Sequence, residues 1–216
     1  MVKIILAVLL SIFAITSYAD IQDDDGSGYY LGFNLGYADR HLNENSFFAS
    51  NNTQTVTGSS TTGMAGRVSA GYAFNPNFAL EFGGTYLPTA TANAVSNNQN
   101  INIKSTAYLI DLLFRGSLQF QHNFAGYFKI GMAYAGSNIS YTGQSDSKAQ
   151  VYYPAGALGV AYSITQELSL NVEWYHLFNN NNAYSGYAQR AQVINGGSYT
   201  RMPEIDMATL GIAYRF

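Results

Sequence analysis

The sequence has 216 residues, no cysteine, 21 glycines and 18 tyrosines; 11% of residues are charged and 15% aromatic, whereas a soluble domain carries about 25% charge. These figures exclude a disulfide scaffold, a cysteine-ligated zinc site and a thiol nucleophile. A net charge of −3, a pI near 5.5 and the lack of any basic cluster argue against a nucleic-acid partner.

In chain order, residues 1–19 read as a secretory signal peptide. Lys3 supplies the positive start, Ile4 to Ile15 form an apolar run broken by Ser11, and Ser17-Tyr18-Ala19 make a small-x-small cleavage site before Asp20. The rival reading, a membrane anchor, needs roughly 20 apolar residues, more than this run holds. Residues 20–28, with Asp20, Asp23, Asp24 and Asp25, form an acidic tail. No later stretch is long and apolar enough for a spanning helix, so membrane residence must rest on strands.

From residue 29 to 216 the chain alternates with period 2. Large apolar residues share one face of eight segments: Tyr29 to Tyr37, Met64 to Phe74, Phe78 to Tyr86, Tyr108 to Phe120, Phe128 to Tyr134, Leu158 to Ile164, Leu168 to Trp174, and Leu210 to Phe216. The opposite face is rich in Gly, Ala, Ser and Asn. Arg67, Glu81, Asp111, Arg115, Lys129, Glu173 and Arg215 all fall on that polar face. A charge facing lipid costs roughly 2–4 kcal/mol at the midplane, so lipid outside explains the segregation. A soluble sandwich gives the same alternation with its rings inward, but its outer face should then carry many lysines and glutamates. The fold expected is all-β: an eight-stranded antiparallel up-and-down transmembrane barrel.

Short connections at 75–77, 121–123 and 165–167 alternate with long ones at 39–63, 88–104, 137–150 and 179–204. Short turns belong on the periplasmic side and long loops outside. Aromatic residues group at both strand ends, as rings with one polar end do at headgroup level.

The stretch Gly71-Tyr72-Ala73-Phe74-Asn75-Pro76-Asn77-Phe78-Ala79-Leu80-Glu81-Phe82-Gly83 resembles the second hairpin of the OmpA-type transmembrane domain. Gly159 to Glu167 resembles its third periplasmic turn. Thr209-Leu210-Gly211-Ile212-Ala213-Tyr214-Arg215-Phe216 resembles its last strand. That strand also resembles the general barrel-assembly signal, with Thr209, Gly211, Tyr214 and Phe216 in the signal positions. The resemblance covers nearly all of residues 29–216, though the loops match nothing specific. It implies insertion by the barrel-assembly machinery, residence among outer-membrane lipid and lipopolysaccharide, and interior salt bridges of the kind that gate a narrow pore. Glu81 and Arg115 match two interior positions; Ala161 stands where the family has an acid and Asn171 where it has an arginine. A direct Glu81–Arg115 pair is therefore expected, with Asp111, Lys129 and Glu173 completing a different network. Family members often carry a peptidoglycan-binding domain after the barrel; no such activity is assigned to this chain.

No Gly-x-Ser-x-Gly, metal-spaced histidine pair or carboxylate pair is present, and neither cofactor nor metal is expected. His41 and His122 read as solvated polar residues. His176 lies beside Trp174 at the outer interface, and Phe178 stands where a barrel-type lipid A deacylase would place its serine. The function expected is surface display: loops that contact a host or surface ligand, held by a non-enzymatic barrel that supports the envelope. A low-conductance pore lined by the interior charges is the second reading, and a lipid-modifying enzyme the third.

Overall fold

The computed structural model describes residues 26–41, 54–96, 99–121, 123–141, 147–179 and 204–216. The expected signal peptide, most of the acidic tail and His122 lie outside them. The strands are β1 (Gly28–Asp39), β2 (Gln54–Ser60), β3 (Thr62–Asn75), β4 (Phe78–Ser96), β5 (Gln99–Gln121), β6 (Phe124–Tyr141), β7 (Ser147–Ser163), β8 (Leu168–Leu177) and β9 (Ile205–Arg215). Thr61 alone separates β2 from β3, and the two act as one stave. Every neighbouring pair is antiparallel, and β1 pairs with both β3 and β9, from Tyr30↔Arg215 to Asp39↔Asp206. The ring therefore closes with eight staves, which leaves no open sheet edge within the lipid.

Period-2 alternation decides which side chains meet lipid. Phe33, Leu35, Phe82, Leu112, Ile130, Leu158, Val172 and Leu210 are exposed on the outside, while their chain neighbours are covered. Tyr29, Phe74, Phe78, Phe120 and Phe124 ring one end, and Tyr37, Tyr86, Tyr108 and Tyr152 the other. The short turns are built from side-chain caps. Asn75 Oδ1 accepts the N–H groups of Asn77 and Phe78, both at 2.9 Å. Thr165 Oγ1 accepts those of Glu167 (3.2 Å) and Leu168 (3.0 Å) and donates to Glu167 Oε2 at 2.7 Å. That hydroxyl bond holds the Glu167 carboxyl below its ordinary range.

At the opposite end the structure corrects the loop boundaries. The spans 88–104 and 137–150 are mostly strand. The β4–β5 ladder continues past Tyr86↔Tyr108 to Ser96↔Gln99, and β6–β7 pairing reaches Ile139↔Ser147. Ten residues beyond the tyrosine belt correspond to about 30 Å of strand. A bulge between Leu87 and Ala90 changes the phase of β4: Phe82 and Tyr86 are exposed below it, Thr89 and Asn93 above it, and Ala90 and Ala92 turn inward. On the other flank β1 ends at Asp39, β8 ends at Leu177 and β9 starts at Ile205. Among the described residues the ladders thus extend further over β2, β4, β5, β6 and β7 than over β8, β9 and β1. Pro154, which has no N–H to donate, sits in β7 where β8 leaves off, and its carbonyl accepts Phe178 N–H at 3.0 Å.

Candidate functional site

The lumen holds two layers of side chains. In the first, alternation on β3, β4, β5, β6 and β8 brings five charged groups together. Arg67, Glu81 and Glu173 are 1% exposed, Asp111 2% and Lys129 7%. Arg67 Nη2 lies 2.9 Å from Glu81 Oε1 and 2.8 Å from Asp111 Oδ1, and Arg67 Nη1 also donates to Asp111 Oδ2. Lys129 Nζ bridges Glu81 Oε1 at 2.7 Å and Glu173 Oε2 at 2.6 Å. Three tyrosines add hydrogen bonds to the carboxylates. Tyr30 donates to Glu81 (3.0 Å), Tyr127 to Glu173 (3.0 Å) and Tyr175 to Asp111 (3.5 Å). Buried charge persists only when paired and hydrogen-bonded in this way. Glu173 Oε1 is the one carboxylate oxygen of this cluster with no partner among the described residues. Small residues leave the room: a β-carbon on Gly83 would overlap the Arg67 guanidinium, and one on Gly71 or Gly159 would overlap the Tyr30 or Tyr127 ring.

Arg115 does not pair with Glu81. Its guanidinium lies over the Tyr127 ring, 4.2 Å from the centroid, and its Nε donates to Ser117 Oγ at 3.1 Å. Lys129 and Arg67 occupy the Glu81 carboxylate instead. Arg215, on the strand that closes the ring, makes no ion pair among the described residues. Asn34 donates to Asn171 Oδ1 at 2.6 Å and to Thr209 Oγ1 at 3.3 Å, so the position where the family arginine is missing carries a neutral bond.

The second layer, toward the outer rim, is apolar. Leu87, Leu109, Leu177, Ile205 and Met207 are fully buried with Tyr153 and several alanines, and the same apolar cluster reaches Leu113 and Tyr175 at the level of the charges, Leu113 being the register partner of Glu81. Arg40 spans the mouth above them. It donates to Pro88 O at 3.2 Å, Ser105 O at 2.6 Å and Ser105 Oγ at 2.9 Å, the first of these inside the β4 bulge. Neither this layer nor Arg40 was singled out from the sequence. The signal was present in the phase of the Leu109–Phe114 run: residues between lipid-facing Ile110, Leu112 and Phe114 must point inward whatever their hydrophobicity.

Of the assembly-signal positions, Tyr214 and Phe216 face outward with ring centroids 5.1 Å apart, while Thr209 and Gly211 face the lumen beside Asn34. His176 stands between the rings of Trp174 and Phe178, with centroids 5.4 and 4.4 Å away. Both of its ring nitrogens lie against carboxylates, Asp206 and Glu204. His41 is not simply solvated; its Nε2 lies 2.6 Å from Asp206 Oδ2.

The chain is similar along 90% of its length to an uncharacterized protein of Coxiella burnetii (strain RSA 493 / Nine Mile phase I), 28% identical and covered over 88%. Among solved structures it is similar to Neisserial surface protein A (16% identity, TM-score 0.56, covering 88% of this chain and 99% of that one). It is also similar to the N-terminal barrel of Pseudomonas aeruginosa OprF (11%, TM-score 0.51, 88% and 99%) and to OprG from the same organism (12%, TM-score 0.50, 88% and 97%). At these identities the likeness is one of fold, a small outer-membrane barrel. The family description "Outer membrane protein beta-barrel domain" matches residues 5–216. The chain therefore belongs to the outer membrane protein β-barrel domain family and resides in the bacterial outer membrane.

Proposed function

We propose that the protein is a sealed, non-enzymatic scaffold that presents its raised hairpins at the cell surface for interaction or adhesion, and that contributes to envelope integrity. The observation that carries this reading is the filled lumen beneath an extended rim. The ion-paired layer, the aliphatic layer and Arg40 occupy the bore in series, and β4–β5 and β6–β7 continue as paired strands well beyond the outer tyrosines. A rigid barrel that carries polar segments is suited to display. Lipopolysaccharide meets the outer half of the aromatic-belted surface, and the barrel-assembly machinery reads the Thr209, Gly211, Tyr214 and Phe216 strand.

The test compares the whole chain with a variant whose β4–β5 hairpin is shortened above the bulge, from residues 91 to 104, both expressed at equal level. Loss of cell or matrix adhesion with unchanged barrel folding supports display; equal adhesion sinks it. Conductance in planar bilayers tests the pore reading, which the interior charges Arg67, Glu81, Asp111, Arg115, Lys129, Glu173 and Arg215 favour. Steady unit conductance altered by Glu81→Ala would replace the sealed scaffold with a pore. Phe216→Ala is expected to reduce insertion without altering the folded barrel.

A further inference from the structure

Charge is spread unevenly around the outside of the barrel, above the tyrosine belt. Arg40, Arg67, Arg115, Lys129 and Arg215 belong to the lumen face. Among the described residues the bases left on the outward face are Lys104 on β5 and Lys148 on β7. Lys104 is exposed, four residues beyond Tyr108 on the same face; Lys148 takes the same place on β7, four residues beyond Tyr152. Lys148 pairs with Asn138, and Asn138 with Thr106, two residues below Lys104. Two staves and two residues put the lysine Cα atoms about 12 Å apart. The ladder also climbs: from Tyr30 it runs once around the barrel to Ile205, whereas Tyr30 itself pairs with Arg215. Eight staves therefore gain ten residues (215 − 205), and two staves gain about 2.5. That gain offsets the two-residue difference, so both lysines stand at one height, about 10 Å above the tyrosines for strands tilted by roughly 35–45°. On the far side of the barrel, Asp39 and Asp206 are register partners on the same outward face. One flank of the outer belt is basic and the other acidic.

Below the lysines lies an aromatic platform. Tyr108, Tyr134 and Tyr152 occupy three adjacent staves, with the Tyr134 and Tyr152 ring centroids 5.2 Å apart. The Tyr108 ring lies across Gly136, where a β-carbon would overlap it. Tyr108 and Tyr152 are exposed, and below them Ile110, Met132 and Leu158 continue the lipid face. Thr106 and Gln150 stand exposed between the rings and the lysines. From the bilayer upward the face thus presents hydrocarbon, rings with one polar end, uncharged polar groups and ammonium. An amphiphile with acyl chains, a sugar and phosphate presents the complementary order. Lysine suits the top of such a site: its stem lies along apolar surface while its head seeks charge, and the ammonium serves phosphate as a point charge.

We propose that the outward face of β5, β6 and β7 binds a phosphorylated glycolipid of the outer leaflet, its sugar against Tyr108, Tyr134 and Tyr152 and its phosphate on Lys104 and Lys148. The site rests on the reading that lipopolysaccharide meets the outer half of the barrel, and gives that contact a fixed place and a chemical selector. Phosphate favours this flank because the opposite one presents Asp39 and Asp206. Asp146, the one acid between β6 and β7 in the sequence, lies outside the described residues, and the two lysines outnumber it. A lysine beside anionic headgroups strengthens binding about fivefold, and the pair about thirtyfold.

The test uses the whole chain folded into phosphatidylcholine nanodiscs, followed by NMR of tyrosine rings and of lysines carrying isotope-labelled dimethyl groups, which keep their charge. Diphosphoryl lipid A, its dephosphorylated form and inorganic phosphate are added in separate titrations. Diphosphoryl lipid A is expected to shift Lys104 and Lys148 saturably, together with Tyr108 and Tyr152, and to leave the buried Lys129 unchanged. The double variant Lys104→Gln with Lys148→Gln is expected to weaken that binding about thirtyfold, read at the tyrosines, while its response to the dephosphorylated form equals that of the wild type. The proposal is overturned if the two lysines do not shift, if the dephosphorylated form binds the wild type as tightly, or if inorganic phosphate at the same concentration gives the same shifts. Equal shifts at Tyr37, Tyr86, Tyr108 and Tyr152 without a lysine response remove the site and keep the general lipid contact. No response at any of these tyrosines removes the lipid contact itself.

Discussion

The two layers of the lumen share one cylinder and the same wall of small residues, yet they are filled by opposite chemistry. Around Arg67 every contact is directional: two carboxylates, a threonine and an aromatic face meet one guanidinium. Around Leu109 contacts are aliphatic and non-directional. A directional layer fits one arrangement and is damaged most by the loss of a member that serves several partners, because buried charge is left behind. An aliphatic layer excludes water at little specificity cost and tolerates exchanges that conserve volume. One cylinder thus separates the task of fixing strand register from the task of closing the bore.

Substitutions in each layer break that comparison at graded cost. Arg67→Ala strands Asp111 and Glu81 and is expected to destabilise the folded barrel by about 3–5 kcal/mol, read from denaturant unfolding in lipid vesicles. Leu109→Ala opens a void in the aliphatic layer and should cost about 3 kcal/mol, whereas Leu109→Met should cost under about 1.5 kcal/mol; equal losses for the two would mean the layer is not close-packed. Gly83→Ala pushes against the Arg67 guanidinium and is expected to cost about 1–3 kcal/mol, with changed side-chain signals for Arg67 by NMR. The smallest effect falls within the charged layer itself. Glu173→Gln keeps acceptors for Lys129 and Tyr127 and alters an oxygen that has no partner, so a shift under about 1 kcal/mol is expected, against a clearly larger loss for Glu81→Gln, which serves Arg67, Lys129 and Tyr30 at once.

The eight-stave barrel and its lipid face were legible because lipid penalises charge steeply and the strand period is short; Arg67, Glu81, Asp111, Lys129 and Glu173 declare the inner face by themselves. Pairing among them was not legible. Partners are set by the stagger between strands, and Glu81 reaches Lys129 across β5 rather than Arg115 on β5 itself. The aliphatic layer was obscured because Leu109 and Leu113 adjoin lipid-facing Ile110 and Leu112, so that Asp111 alone marks the inner face of this run. The raised hairpin was read as loop because Thr89 to Asn93 is polar. Its alternation of Thr and Ala carries a strand period, but in the opposite phase to the barrel below. The rim cluster was out of reach, since His41, His176 and Asp206 meet only once the first and last strands adjoin.

That reversal of phase at Leu87–Ala90 has an evolutionary consequence. In an uninterrupted strand, adding or removing one residue turns every later side chain over, so length and composition are locked together from base to tip. A bulge anchored by Arg40 acts as a joint that absorbs such a change. The segment above it is free to lengthen, shorten or alter its sequence under selection at the surface while the ladder embedded in the bilayer stays in step.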